Sequence, residues 1–293
     1  MTRRALITGI EGFTGQHVAE ALRALGFDVH GTSRDATLVP GWHHADLCDA
    51  SRLSALVADI APTHVIHLAG IAYVASSDVG EIYHVNIMGT RNLLAALAAA
   101  PSRPAAVVLA SSASVYGNAF QIPIDEATVP RPTNDYAVSK LAMEHLAATF
   151  ADQLPITITR PFNYTGLGQS ERFLIPKIVA AFRSRLPLIK LGNIEVAREF
   201  SDVRDVAQDY AALAEIGAET TVNLASAEAY SIAEVLELAT GITGHQIAVE
   251  TDPKLVREGE IKILTGSTER LRNLVPSTRR RPLVETLRWM LRA

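Results

Sequence analysis

The chain has 293 residues, 48% hydrophobic and 20% charged, with a formal net charge of −4. That length accommodates one large domain or two modest ones around a sizeable core, and so mild a charge argues against nucleic acid or an anionic membrane as partner. The single cysteine, Cys48, excludes an internal disulfide framework and fits a reducing compartment.

The N-terminus runs straight into an apolar strand pattern with no leader-like segment, and the Ala/Leu-rich stretch 93–100 is too short to span a bilayer. A cytoplasmic protein without membrane contact is expected. The nine histidines are scattered; only His43 and His44 adjoin, and strand neighbours point to opposite faces. No His/Cys/Asp cluster has ligand spacing, so no metal is expected.

Residues 4–8 form a short apolar run that ends in Gly9-Ile10-Glu11-Gly12-Phe13-Thr14-Gly15. Behind it Val18, Ala21, Leu22 and Leu25 repeat at helical spacing, and Gly26 supplies a stop. Strand, glycine loop and helix make a phosphate-binding βα turn: Gly9, Gly12 and Gly15 let backbone approach a pyrophosphate, and the helix N-terminus supplies N–H donors and the positive end of a dipole. The spacing is Gly-x-x-Gly-x-x-Gly rather than the commoner Gly-x-Gly-x-x-Gly.

The second strand, residues 28–33, ends at Ser33-Arg34 with no acid until Asp35. An acid there would take the ribose hydroxyls of NAD; a hydroxyl followed by arginine suits a 2′-phosphate, so NADP(H) is favoured, with NAD(H) possible. Arg34 could equally be a solvated loop cation. Asp46-Leu47 reads either as an adenine contact or as a capping turn before a helix over 51–60. The strand 64–68 leads into Ala69-Gly70, small enough for a cofactor to come close. A long helix is expected over 81–99, its Asn86 bracing neighbouring backbone.

The strand 105–111 delivers Ser111-Ser112-Ala113-Ser114-Val115-Tyr116-Gly117 at its C-terminal end, where open parallel sheets bind ligands. After a proline-bearing loop, 123–134, comes Tyr136-Ala137-Val138-Ser139-Lys140. Residues four apart share one helix face, so Lys140 is expected to favour the Tyr136 phenolate and bring its pKa towards neutrality. Such a phenol passes protons near pH 7, and Ser112 is a second hydroxyl for the same substrate oxygen. The regular βα alternation fades near residue 162, giving an α/β fold: a doubly wound parallel sheet over 1–161 and a smaller α/β half over 162–293, with some segments returning to the first.

These motifs, in this order and over nearly the full length, resemble the extended short-chain dehydrogenase/reductase family: Gly9/Gly12/Gly15, His67-Leu68-Ala69-Gly70, Asn86 to Thr90, Ser112 to Gly117, Tyr136 to Lys140 and Arg160-Pro161-Phe162-Asn163. The resemblance implies a Rossmann-type fold. It makes Tyr136 the general acid/base, Lys140 the holder of the nicotinamide ribose and Ser112 a hydrogen-bond partner of the substrate oxygen. Phe13, Thr14, Leu68 and Pro161 join the cofactor contacts.

Position 114 is serine where the sugar-nucleotide 4,6-dehydratases of the family resemble a stretch with a carboxylate, so a dehydratase is not expected. The second half resembles the GDP-6-deoxy-4-keto-mannose reductases at residues 191–206, 173–178 and 252–267. By that resemblance Arg198 and Arg257 meet the nucleotide diphosphate, Lys177 the guanine and Glu260 the ribose, while Tyr73 and Asn163 face the sugar. The expected activity is NADPH-dependent reduction of the C4 keto group of a GDP-linked 6-deoxy-4-keto-hexose. The alternatives are a nucleotide-sugar 4-epimerase with tightly held NAD and a non-catalytic dinucleotide-binding module. A homodimer is expected through the helices carrying Asn86 and Tyr136, unless their alanines pack on the sheet instead.

Overall fold

The computed structural model describes residues 2–35, 39–72, 78–119, 122–255, 262–276 and 280–292. In chain order the first half runs β1 (Arg4–Thr8), α1 (Phe13–Ala24), β2 (Asp28–Ser33), β3 (Trp42–His44), α2 (Ala50–Ile60), β4 (His64–His67), α3 (Val79–Tyr83), α4 (Thr90–Ala99), β5 (Ala106–Ala110), α5 (Asp135–Ala148) and β6 (Ile156–Pro161). The second half adds β7 (Tyr164–Thr165), α6 (Leu174–Arg183), β8 (Leu188–Leu191), β9 (Ala197–Glu199), β10 (Ser201–Asp202), α7 (Val203–Ile216) and β11 (Thr221–Leu224). It ends with β12 (Ala229–Ser231), α8 (Ile232–Thr243), β13 (Ala248–Thr251), β14 (Ile263–Leu264), α9 (Glu269–Leu274) and α10 (Leu283–Arg292).

Seven strands form one sheet in the order β11-β6-β5-β4-β1-β2-β3, and every pairing in it is parallel. Strands covered on both faces read as continuous apolar runs, which is why Ala-Leu-Ile in β1 and Ala-Val-Val-Leu in β5 are wholly buried. Alternate side chains enter opposite layers: Ala5 and Ile7 pack with α1, α7 and α9, while Leu6 packs with α2, α4 and α5. Leu97, fully buried in the second layer, shows the scale, since truncating such a leucine costs about 2–5 kcal/mol.

The order reverses at β1, which has β2 on one side and β4 on the other. The crevice beyond the C-terminal ends of β1 and β4 is therefore where this architecture places a ligand. The seventh strand, β11, and the covering helix α7 come from beyond residue 161, so the chain returns to complete the sheet it began. Apart from these visits, α6 before β11 and α8 and α10 after it surround a separate apolar core containing Ile178, Phe182, Val235 and Leu287. Helix α7 is fixed at its start by Asp202, which accepts the Arg204 N–H at 2.8 Å and the Thr286 hydroxyl at 2.7 Å, tying α10 to it.

One expected element is different. The single helix over 81–99 is α3, a π-helical stretch His84–Gly89, and α4. Asn86 sits in the widened turn, at 1% exposure, where the altered register aims its amide at the loop after β4.

Candidate active site

Gly9 turns the chain after β1 with φ +70°, and the N–H groups of Gly9 and Ile10 both donate to the Thr32 carbonyl at 3.1 and 3.2 Å. A Cβ on Gly9 would lie 3.0 Å from Ala69 Cα, and one on Gly15 only 2.3 Å from the Gly9 carbonyl oxygen. The loop is thus pressed against both neighbours by glycines alone. Gly12 caps α1 without a side-chain hydrogen bond, and the first turn carries no acid. The amides of that first turn are left without a side-chain cap, which suits an anion.

Beyond this loop lies a cleft of about 180 Å³. Of the residues singled out in the sequence, Gly9, Gly12, Arg34, Asp46, Leu47, Leu68, Ala69 and Gly70 line it. Ser33 is 2% exposed, and its hydroxyl accepts the Asp35 N–H at 3.0 Å. The walls also contain Thr32, on the other side of Ser33 in the strand alternation, and Glu11, neither of which had been foreseen. Asn86 braces the far wall as expected, accepting the Ile71 N–H at 2.8 Å and donating to the Ile71 carbonyl at 3.2 Å and to Ser139 Oγ at 3.0 Å.

Helix α5 carries both Tyr136 and Lys140 and sets the lysine against the cleft. Asn134 caps it, its side chain accepting the Ala137 N–H at 2.9 Å. Lys140 is 6% exposed and donates from Nζ to the Ala110 carbonyl at 2.8 Å. A Cβ on Gly70 would lie 3.3 Å from that Nζ, which puts the ammonium against the cleft wall. Ser112 follows β5, accepts the Ser114 N–H at 3.1 Å and lies beside the Tyr136 hydroxyl, where it pulls that phenol's pKa down.

Below these groups runs a buried polar network. Arg160 grips Glu144 with Nε and Nη2 at 3.0 and 2.6 Å, and donates from Nη1 to the Tyr116 hydroxyl at 3.1 Å. Tyr116 donates in turn to Asn223 Oδ1 at 2.7 Å, and Ser111 Oγ donates to Glu144. Forked arginine–carboxylate geometry holds α5 against β6 with little freedom.

The acid–base properties differ from the expectation for Tyr136. Burial, the dominant influence, pushes its pKa up to about 12, against the downward pull of the Ser112 hydrogen bond. Burial also lowers Lys140 to about 8, opposed by the Glu144 carboxylate. Desolvation of the phenol therefore outweighs any help from the lysine, whose hydrogen bond goes to Ala110.

The other predicted residues are distributed as follows. Phe13 stacks on Tyr164 with ring centroids 6.0 Å apart, and Thr14 Oγ1 meets the Tyr164 hydroxyl at 2.8 Å. Tyr164, read in the sequence as part of a loop, thus bridges the glycine-loop helix and the second half. Pro161 ends β6 opposite Leu224 of β11. Asn163 is exposed, with its carbonyl accepting the Ser201 N–H at 3.0 Å. Lys177 donates from Nζ to the Lys190 carbonyl at 2.8 Å, and Arg198 in β9 donates from Nη1 to the Ala197 carbonyl at 2.8 Å. Tyr73, Arg257 and Glu260 lie outside the described residues. Among the described residues no helix is long and apolar enough to cross a membrane, and no group of three or more His, Cys, Asp or Glu is placed to hold a metal ion.

Residues 5–230 match the profile described as the NAD dependent epimerase/dehydratase family. The chain belongs to that family. Within this epimerase/dehydratase family it is 34% identical over 283 residues to the GDP-6-deoxy-D-mannose reductase of Pseudomonas aeruginosa, covering 92% of this chain and 90% of that one. It is 30% identical over 274 residues to the GDP-6-deoxy-D-talose 4-dehydrogenase of Aggregatibacter actinomycetemcomitans, covering 93% and 91%. Among solved structures, a Burkholderia cenocepacia protein provisionally named an epimerase superposes with a TM-score of 0.94 at 48% identity, covering 99% of this chain and 97% of that one. RMD from Pseudomonas aeruginosa, complexed with NADPH, gives 0.87 at 31%, covering 99% and 98%. The protein is therefore an enzyme-family member of the kind that modifies nucleotide sugars, built on a Rossmann-type α/β fold.

Proposed function

We propose that the protein is an NADP(H)-dependent reductase of the C4 keto group of a GDP-linked 6-deoxy-4-keto-hexose, giving GDP-rhamnose or its C4 epimer. The observation that carries this reading is the Lys140 ammonium against Gly70 in the wall of a cleft that Arg34 also lines, with Tyr136 one turn back on the same helix and Ser112 beside the phenol. The cleft suits a dinucleotide: glycines at 9 and 15 let the loop close tightly on Ala69 and on itself, α1 offers first amides that no side chain caps, and Arg34 lines the wall as a partner for a 2′-phosphate. When bound, that coenzyme supplies the hydride. The protein's own part is to hold and protonate the substrate oxygen. Tyr136, kept as a neutral phenol by burial, donates its proton to the oxygen at C4; Ser112 hydrogen-bonds the same atom, and the Lys140 charge stabilises the alkoxide as it forms.

In this reading residues 1–161, with the strand and helix that rejoin them, hold the coenzyme, and the rest of 162–293 holds the nucleotide sugar. Arg198 and Arg257 meet the diphosphate, Lys177 the guanine, Glu260 the ribose, and Tyr73 and Asn163 the sugar. Two relatives named for GDP-6-deoxyhexose chemistry support the choice of substrate. We place the protein in the cytoplasm as a homodimer paired through α5 and the α3–π-helix–α4 stretch, where Val79, Met88 and Val138 are exposed.

Purified protein mixed with NADPH and 4-keto sugars carried on GDP, UDP, dTDP or CDP should consume the reduced coenzyme with the GDP sugar; no consumption with any of them removes the reductase reading. A 4-epimerase is the second reading, favoured by the provisional name of the 48%-identical structure. Stoichiometric NAD released from freshly purified protein would select it.

A further inference from the structure

Glu11 carries a carboxylate oxygen, Oε2, that is shut off from solvent and accepts no hydrogen bond. A buried acceptor left unpaired is costly, so the carboxylate gains by turning towards a donor seated in the cleft that Glu11 lines. The backbone fixes where that donor must be. Gly9 and Ile10 are both bonded to the Thr32 carbonyl, and a Cβ on Gly31 would lie 2.3 Å from the Ile10 side chain. Glu11, the next residue, is therefore held at the end of β2 and lines the cleft together with Thr32 and Arg34. No ion pair joins Glu11 to Arg34 in the described structure. The other acid of the cleft, Asp46, is already engaged, its Oδ1 accepting the Cys48 N–H at 2.8 Å.

We propose that Glu11 is a second coenzyme-specificity residue: its carboxylate accepts a hydroxyl of the adenosine ribose and opposes the 2′-phosphate that Arg34 attracts. The proposal rests on the dinucleotide reading above. β2 ends without the acid that ordinarily takes the ribose hydroxyls, and the glycine loop supplies one instead. With a cation and an anion facing the same ribose, both coenzymes bind, and the preference for NADPH is smaller than Arg34 alone would set.

The test is the ratio of dissociation constants for NADPH and NADH, read by coenzyme fluorescence in wild type, Glu11→Gln and Glu11→Ser. Loss of one like charge near the 2′-phosphate should lower the NADPH/NADH ratio about tenfold in both variants, through tighter NADPH and weaker NADH. Titration with 2′,5′-ADP against 5′-ADP should show the same change at the adenosine end alone. A ratio that moves by less than about threefold, or rises, in variants with wild-type melting profiles overturns the role of Glu11 and leaves the reductase reading standing. Wild-type protein that binds neither coenzyme overturns both.

Discussion

Lys140 donates from its buried Nζ to the carbonyl of Ala110, the last residue of β5, at 2.8 Å. The bond ties α5 to the strand that delivers Ser112, so one contact sets the spacing between the two hydroxyl-bearing elements. It also fixes a charge whose pKa burial has lowered to about 8. The ammonium is present below that value and lost as pH rises through it. The rate of keto-sugar reduction should therefore decline above pH about 8. Lys140→Arg, which stays charged, should remove that limb whatever its absolute rate. A wild-type kcat/KM profile flat to pH about 10 would contradict the assignment.

Tyr136 is held as a phenol up to about pH 12. Its replacement by phenylalanine removes a proton donor but little shape. Turnover should fall by about 10²–10⁴, with the NADPH dissociation constant unchanged. Steady-state rates and coenzyme titration on the same preparation separate the two effects; weakened coenzyme binding with intact turnover would reverse the role.

Gly15→Ala places a methyl 2.3 Å from the Gly9 carbonyl oxygen. The loop and α1 cannot both keep their positions, and overpacking of this kind costs about 1–3 kcal/mol. NADPH binding should be lost along with part of the thermal stability. Gly241→Ala is the matching control, since nothing lies within 4 Å of its added Cβ inside α8. That substitution should be neutral or stabilise by about 0.5–1 kcal/mol.

His67 predicts an acid-sensitive fold. Its ring lies between Thr8 Oγ1 at 2.7 Å and Thr90 Oγ1 at 2.9 Å, and burial, with help from the Lys140 charge, lowers its pKa to about 3. The unfolded chain binds a proton below its ordinary value of 6.5, whereas the folded protein does not. Stability is therefore lost as pH falls from 6.5 towards 3, by about 2 kcal/mol at pH 5. Urea unfolding at pH 7 and pH 5 should show that difference shrink by this amount in His67→Gln. An equal pH dependence in both proteins would refute it.

The glycine loop and the Ser112, Tyr136 and Lys140 set were legible because their chemistry depends on local spacing: a βα turn and one face of a helix. What escaped depends on the assembled sheet. The π-turn holding Asn86 differs from an ordinary helix by register alone, and no residue type marks it. Tyr164 looked like loop until the second half folded back and placed it on Phe13 and Thr14. The Tyr136 pKa moved the wrong way in prospect because a sequence shows a neighbouring lysine but not the loss of water around a phenol.

Strand β11 has a consequence for how the molecule can move. The polypeptide leaves the main sheet after β6 to form α6, comes back to lay β11 beside β6, and leaves again to complete the outer unit with α8 and α10. The outer unit is therefore tethered to the sheet by several strands of chain rather than a single linker, which leaves it a narrow rocking motion instead of a free swing. For the same reason, a protease cut or a gene truncation at residue 161 would strip the sheet of an edge strand and of α7, leaving Val108 and Tyr210's neighbours in the core open to water.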